Sequence, residues 1–190
     1  MKLNNFLKFV ISVAICELPG IIGAVFTAPS ISSGWYQMLV KPSLNPPSWV
    51  FGPVWTALYF LMGVSLYIVW KNNWRVRNPL FEKTGKPWNR LSEKFWSGSW
   101  QKANIIGIFA IQLALNIKWS IIFFGSTSLT INGLNNIGIA FVEIIFLWFA
   151  ILYTIINFYR VSRASAYLLI PYILWVTFAG YLNFSLWVLN

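Results

Sequence analysis

Five long apolar stretches separated by polar segments organise this chain, at about 6–27, 49–70, 103–124, 134–158 and 165–188. Crossing the hydrocarbon core of a bilayer takes roughly 20 apolar residues of helix, and each stretch is long enough and nearly free of charge. The pattern predicts an all-α integral membrane protein, a five-transmembrane-helix bundle forming a single membrane domain over 1–190. A transmembrane β-barrel would need many short alternating segments, whereas these stretches are continuous. The first runs through Leu18-Pro19-Gly20 into more apolar chain, with no small-residue cleavage pattern before Pro29, so it reads as a helix rather than a cleaved signal. Pro19 removes a helix donor and Gly20 and Gly23 remove bulk, which predicts a bend with close helix contact.

The segments between the stretches differ in kind. Residues 28–48 hold Trp35, Tyr36, Lys41-Pro42 and Asn45-Pro46-Pro47. Consecutive prolines stiffen an extended backbone, so this segment predicts an ordered lid rather than a slack connector. It runs directly into Trp49, Pro53 and Trp55 at the mouth of the second helix, where a plain lipid anchor has no use for them. Residues 71–102 read instead as a basic extended loop. Its Trp74, Trp88, Trp96 and Trp100 suit the headgroup level, and a short amphipathic segment around 88–97 suits the interface.

Charge adds a direction. The chain is 58% hydrophobic and 9% charged, with a net charge of +10. Twelve of the basic residues fall on the N-terminus, 71–102 and 159–164, and only Lys41 and Lys118 on the other side. That bias predicts a cytoplasmic N-terminus and a C-terminus outside, with membrane lipid as a partner. The charge is spread over membrane flanks with no recognition element, so no nucleic-acid partner is expected. The single cysteine, Cys16, cannot form an intrachain disulfide. With no histidine and four glutamates, the chain offers no metal site, and no cofactor is required. An odd helix count argues against a simple inverted-repeat transporter.

Polar residues inside the bilayer need a reason. Asn116 and Trp119 are three apart on one helical face and either orient a ligand carbonyl or brace another helix. Gln112 extends the stripe as a hydrogen-bond seam or a ligand contact. Glu17 and Glu143 must be protonated or paired at such depth, most simply by a hydrogen bond to a neighbouring helix. Trp148 lies about 140° around the helix from Glu143, so the two do not share one narrow site. In the fifth helix Trp175, Ala179 and Asn183 recur every four residues and trace a stripe, which leaves a ligand slot or admits another backbone. Because helix direction alternates, Trp49, Trp55, Asn116 and Trp119 meet at one membrane level, and the second half of the fifth helix approaches it. The convergence predicts an aromatic pocket under the lid, suited to a flat, apolar small molecule.

At these positions the sequence closely resembles the translocator protein family, also called tryptophan-rich sensory proteins or peripheral benzodiazepine receptors. The resemblance is carried by Trp35-Tyr36, Lys41-Pro42, Pro46-Pro47, Trp49, Pro53-Val54-Trp55-Thr56, Leu58-Tyr59 and Met62-Gly63. It continues through Gln112-Leu113, Leu115-Asn116, Trp119-Ser120, Phe123-Phe124-Gly125, Pro171-Tyr172, Trp175, Phe178-Ala179 and Leu182-Asn183. The 71–102 loop departs, being longer by about 20 residues than the family's usual connection. The resemblance implies a five-helix bundle, commonly a homodimer, that binds porphyrins, notably protoporphyrin IX, and benzodiazepine-type ligands in a pocket closed by the first long loop. The candidate ligand contacts are Trp35, Trp49, Trp55, Asn116, Trp119, Glu143, Trp148, Trp175, Ala179 and Asn183, and among them the resemblance implies that Asn116 is the ligand-bonding amide and Ala179 the small position whose enlargement alters ligand binding. Trp55 and Trp175 match the tryptophans implicated in light-dependent porphyrin breakdown, the catalytic alternative to sensing. Transport of a porphyrin, lipid or sterol is a further alternative. The family's sterol pattern ends in a basic residue after the tyrosine, and none follows Tyr181.

Overall fold

The computed structural model describes residues 3–72, 98–126, 128–131 and 133–190, and the side chains of 98–102 are left aside. Helix α1 (Asn5–Ser32) begins where the Asn4 side chain accepts the Leu7 N–H at 2.7 Å, the usual answer to an orphan donor at a helix start. It runs through Pro19 and Pro29, past the expected end at 27. Proline fixes a helical φ and deletes a single donor, so Pro29 is absorbed in the last turn. The connecting segment is correspondingly shorter than 28–48. It turns at Gly34, whose φ of 80° suits a residue without a Cβ, into the one-turn helix α2 (Trp35–Met38).

A 3-10 turn at Ser48–Val50 leads into α3 (Phe51–Lys71). The third span is α4 (Gly98–Ser120), which widens into a π-turn at Ile121–Gly125. A two-residue hairpin, Thr130–Ile131 against Leu134–Asn135, precedes α5 (Asn136–Val161). The stretch expected at 165–188 is two helices, α6 (Arg163–Leu168) and α7 (Ile170–Leu189). Pro171 has no N–H for the Tyr167 carbonyl, and the Leu169 N–H turns back to Ala166 and Tyr167 instead. Five helical segments are long and apolar enough to cross a membrane. The amphipathic segment expected at 88–97 and the interfacial tryptophans of 71–102 lie outside the described residues and side chains.

Packing is tightest between α1 and α3. A Cβ on Gly63 would stand 2.6 Å from the Val13 Cα, so only glycine permits this approach, as small residues do at membrane helix interfaces. Further along the pair a Cβ on Gly20 would meet the Tyr59 ring at 2.8 Å, while one on Gly52 would meet nothing within 4 Å. The two helices thus close at one end and part at the other. Met62, Leu147, Ile151, Phe158, Tyr172 and Val176 fill the centre of the bundle. Large apolar residues such as Val25, Phe146 and Leu174 face outward, as a lipid surround requires.

Candidate functional site

Where α1 and α3 part, a cavity of about 450 Å³ opens among α1, α3, α4 and α7. Helix α1 supplies Glu17, Gly20, Ile21, Ala24, Thr27 and Ile31, a spacing of three and four that keeps them on one face. Helix α3 supplies Phe51, Gly52, Trp55, Thr56 and Tyr59. Asn116, Trp119, Ser120, Phe123 and Phe124 come from α4 and its π-turn, and Ala179, Leu182, Asn183 and Leu186 from α7. Trp55 stacks on Tyr59 with centroids 5.4 Å apart, and Trp119 on Phe123 at 5.1 Å.

Two hydrogen-bond chains hold these walls in register. The Tyr59 hydroxyl donates to Asn116 Oδ1 at 2.5 Å, Asn116 Nδ2 donates to the Tyr172 hydroxyl at 3.1 Å, and that hydroxyl donates to Gln112 Oε1 at 3.0 Å. All four are buried, where an unpaired polar group costs about 1–3 kcal/mol. Gln112 is therefore a seam residue, and Asn116 both braces and lines the cavity. In the second chain Trp119 Nε1 donates to Asn183 Oδ1 at 2.9 Å, and Asn183 Nδ2 donates to the Ile137 carbonyl at 2.8 Å.

The segment between α1 and α3, expected to act as a lid, is pinned from several directions. Tyr36 is buried, lines the cavity and packs on Phe124 at 5.9 Å. Its hydroxyl donates to Asn45 Oδ1 at 3.3 Å, and Lys41 Nζ sits over its ring, 5.0 Å from the centroid. Burial pushes the phenol above its ordinary value, partly offset by the Asn45 bond, so it remains a neutral donor at pH 7. The Ser30 hydroxyl donates to the Phe124 carbonyl. Asn190 clasps Val40 twice, accepting its N–H at 2.8 Å and donating to its carbonyl at 3.1 Å.

Of the residues singled out from the sequence, Trp55, Asn116, Trp119, Ala179 and Asn183 meet in this cavity. The others stand apart from its lining. Trp35 lies one ring behind, edge-on to Phe123 at 5.9 Å, and Trp175 likewise behind Phe51 at 6.0 Å, its buried Nε1 without a partner among the described residues. A four-residue repeat drifts by about 40° per step, so a stripe passing through Asn183 and Ala179 has turned off the cavity by Trp175. Trp49 points outward, 75% exposed. The Trp148 indole donates to Thr177 Oγ1 at 2.8 Å on the exposed side of α7. Glu143 is buried on α5, which lends the cavity no lining residue. Both of its oxygens lack a partner among the described residues, so the helix-to-helix hydrogen bond expected for it is not formed there.

Sequence reasoning missed Glu17, Gly20, Tyr59, Phe123 and Phe124 as lining residues. Tyr59 stands four after Trp55, and Glu17 three before Gly20 and seven before Ala24. That periodicity was available, but nothing in it names the neighbour a face will meet.

Comparison with known proteins matches this architecture to one family. The sequence model described as the TspO/MBR family covers residues 12–188. The chain belongs to the TspO/MBR family. Among its relatives, the tryptophan-rich protein TspO of Archaeoglobus fulgidus is 40% identical over 98% of this chain and 99% of its own length. The counterpart of the same name from Chlorobaculum tepidum is 37% identical over 98% of both chains. The human translocator protein is 35% identical over 80% of this chain and 73% of its own. Family membership and the five apolar helices make this an integral, multi-pass membrane protein.

Proposed function

We propose that this TspO/MBR-family chain is a membrane sensor that binds a porphyrin such as protoporphyrin IX, or a benzodiazepine-type apolar ligand, in the cavity between α1, α3, α4 and α7. The observation that carries the reading is the meeting of Trp55, Trp119, Asn116, Ala179 and Asn183 around one volume of about 450 Å³. That size lies within the roughly 300–1,000 Å³ of small-molecule sites. Two stacked aromatic pairs, one on α3 and one on α4 and its π-turn, favour a flat ligand, since aromatic pairs contribute about 0.5–1.5 kcal/mol beyond area burial. The names translocator and sensory protein carried by relatives fit a sensing or transporting role. The bias of basic residues favours a cytoplasmic N-terminus.

Titrating the protein with protoporphyrin IX while following tryptophan emission tests the reading. Saturable one-site quenching is expected, and quenching that never saturates would overturn it. Light- and oxygen-dependent porphyrin breakdown is favoured by one observation, the Trp55 indole on the cavity wall. On that second reading Trp55→Phe retains binding and slows breakdown, and unchanged product formation removes it. Trp175, set behind Phe51, contributes less to either process.

A further inference from the structure

Resting on that reading of the cavity, we propose that Glu17 determines which ligands it takes, by receiving a cationic amine or N–H donor carried on a flat apolar body. Glu17 lies on the cavity face of α1, seven residues before Ala24 and fourteen before Ile31. At about 1.5 Å per residue it stands about 21 Å from the lid end of that helix, at the deep end of the site.

The polar inventory of the walls points to this residue. The amides of Asn116 and Asn183 and the indole of Trp119 are held by protein partners. The Thr27 and Thr56 hydroxyls donate to the carbonyls of Gly23 and Gly52. The Trp55 indole N–H and two serine hydroxyls, at 48 and 120, remain without a partner among the described residues, all of them neutral. Glu17 alone brings a carboxyl, and no hydrogen bond to it forms among the described residues. An acid inside a membrane span is costly without a partner, and hydrogen bonds to a charged group contribute about 1.5–3 kcal/mol. A ligand that delivers an amine to this point takes up the carboxyl proton and gains that contact, while an apolar ligand leaves the carboxyl neutral and unpaired. A porphyrin seats its acidic edge toward the lid, where Lys41 lies over Tyr36.

The test uses the full chain in lipid nanodiscs with two fluorescent probes of matched shape, 1-pyrenemethylamine and 1-ethylpyrene. The wild type is expected to bind the amine about tenfold more tightly than Glu17→Gln does, with 1-ethylpyrene affinity alike in both proteins. Comparing the same probes in the same lipid cancels their partitioning. Glu17→Asp, which keeps the carboxyl on a shorter arm, is expected to fall between them and serves if Glu17→Gln does not fold. Ala179→Leu is expected to weaken both probes together, which locates them in the cavity. An amine preference that survives Glu17→Gln, or none in the wild type, overturns the assignment of Glu17 while saturable binding of 1-ethylpyrene and protoporphyrin IX leaves the cavity reading intact. If no probe saturates, the cavity reading fails and the role of Glu17 fails with it.

Discussion

Asn183 ties three helices with one side chain, taking the Trp119 N–H from α4 and donating to the Ile137 carbonyl of α5 from its own place on α7. Replacing it with leucine keeps similar bulk but leaves the Trp119 N–H without its acceptor, at about 1–3 kcal/mol, while the Ile137 carbonyl keeps its place in the helix ladder. Asn183→Leu is expected to lower the thermal unfolding midpoint in detergent clearly, and an unchanged midpoint would mean the wall is held some other way. Ala179, buried one turn earlier and lining the cavity, tests space rather than bonding. Ala179→Leu is expected to weaken ligand binding by about 1–3 kcal/mol with little loss of folding stability, as read by titration beside a melting curve.

At the scale of elements, the contact between α1 and α3 depends on one missing side chain. Gly63→Ala places a Cβ 2.6 Å from backbone that cannot swing aside. It is expected to cost about 1–3 kcal/mol, the range of overpacked cores. Gly107→Ala meets nothing within 4 Å and is expected to be neutral or to add up to about 1 kcal/mol through helix propensity. Equal effects of the two in a denaturation assay would contradict the packing described. The spans themselves were legible in the sequence because lipid demands an unbroken apolar run with its backbone bonded internally. Their ends were less so. Pro29 resembles a stop yet sits inside α1, and Pro171 resembles an ordinary member of one span yet splits it. In each case the outcome turns on where the orphaned carbonyl finds a partner, which residue order does not reveal.

Across the whole molecule, the alternation of helix direction was enough to bring Trp55 and Trp119 to one level, and that part of the site could be read from the chain. The share owed to α1 could not, because a face carrying Glu17, Gly20 and Ala24 fits packing against any neighbour equally well. The lid joins the far ends of the described fold through Asn190 and Val40. Asn190→Ala is expected to raise the ligand dissociation rate a few-fold, at roughly 0.5–1.5 kcal/mol per hydrogen bond, while leaving absorbance and emission of the bound ligand unchanged. A stopped-flow displacement experiment measures this, and an unaltered rate would show that the Asn190 clasp does not hold the segment closed. The second hydrogen-bond chain has a consequence for discrimination. An indole has a single polar hydrogen, and in Trp119 it already belongs to Asn183. What this ring has left for an occupant is carbon alone, so to Trp119 two molecules of the same outline look alike however their functional groups differ, and selectivity has to originate at other residues around the cavity.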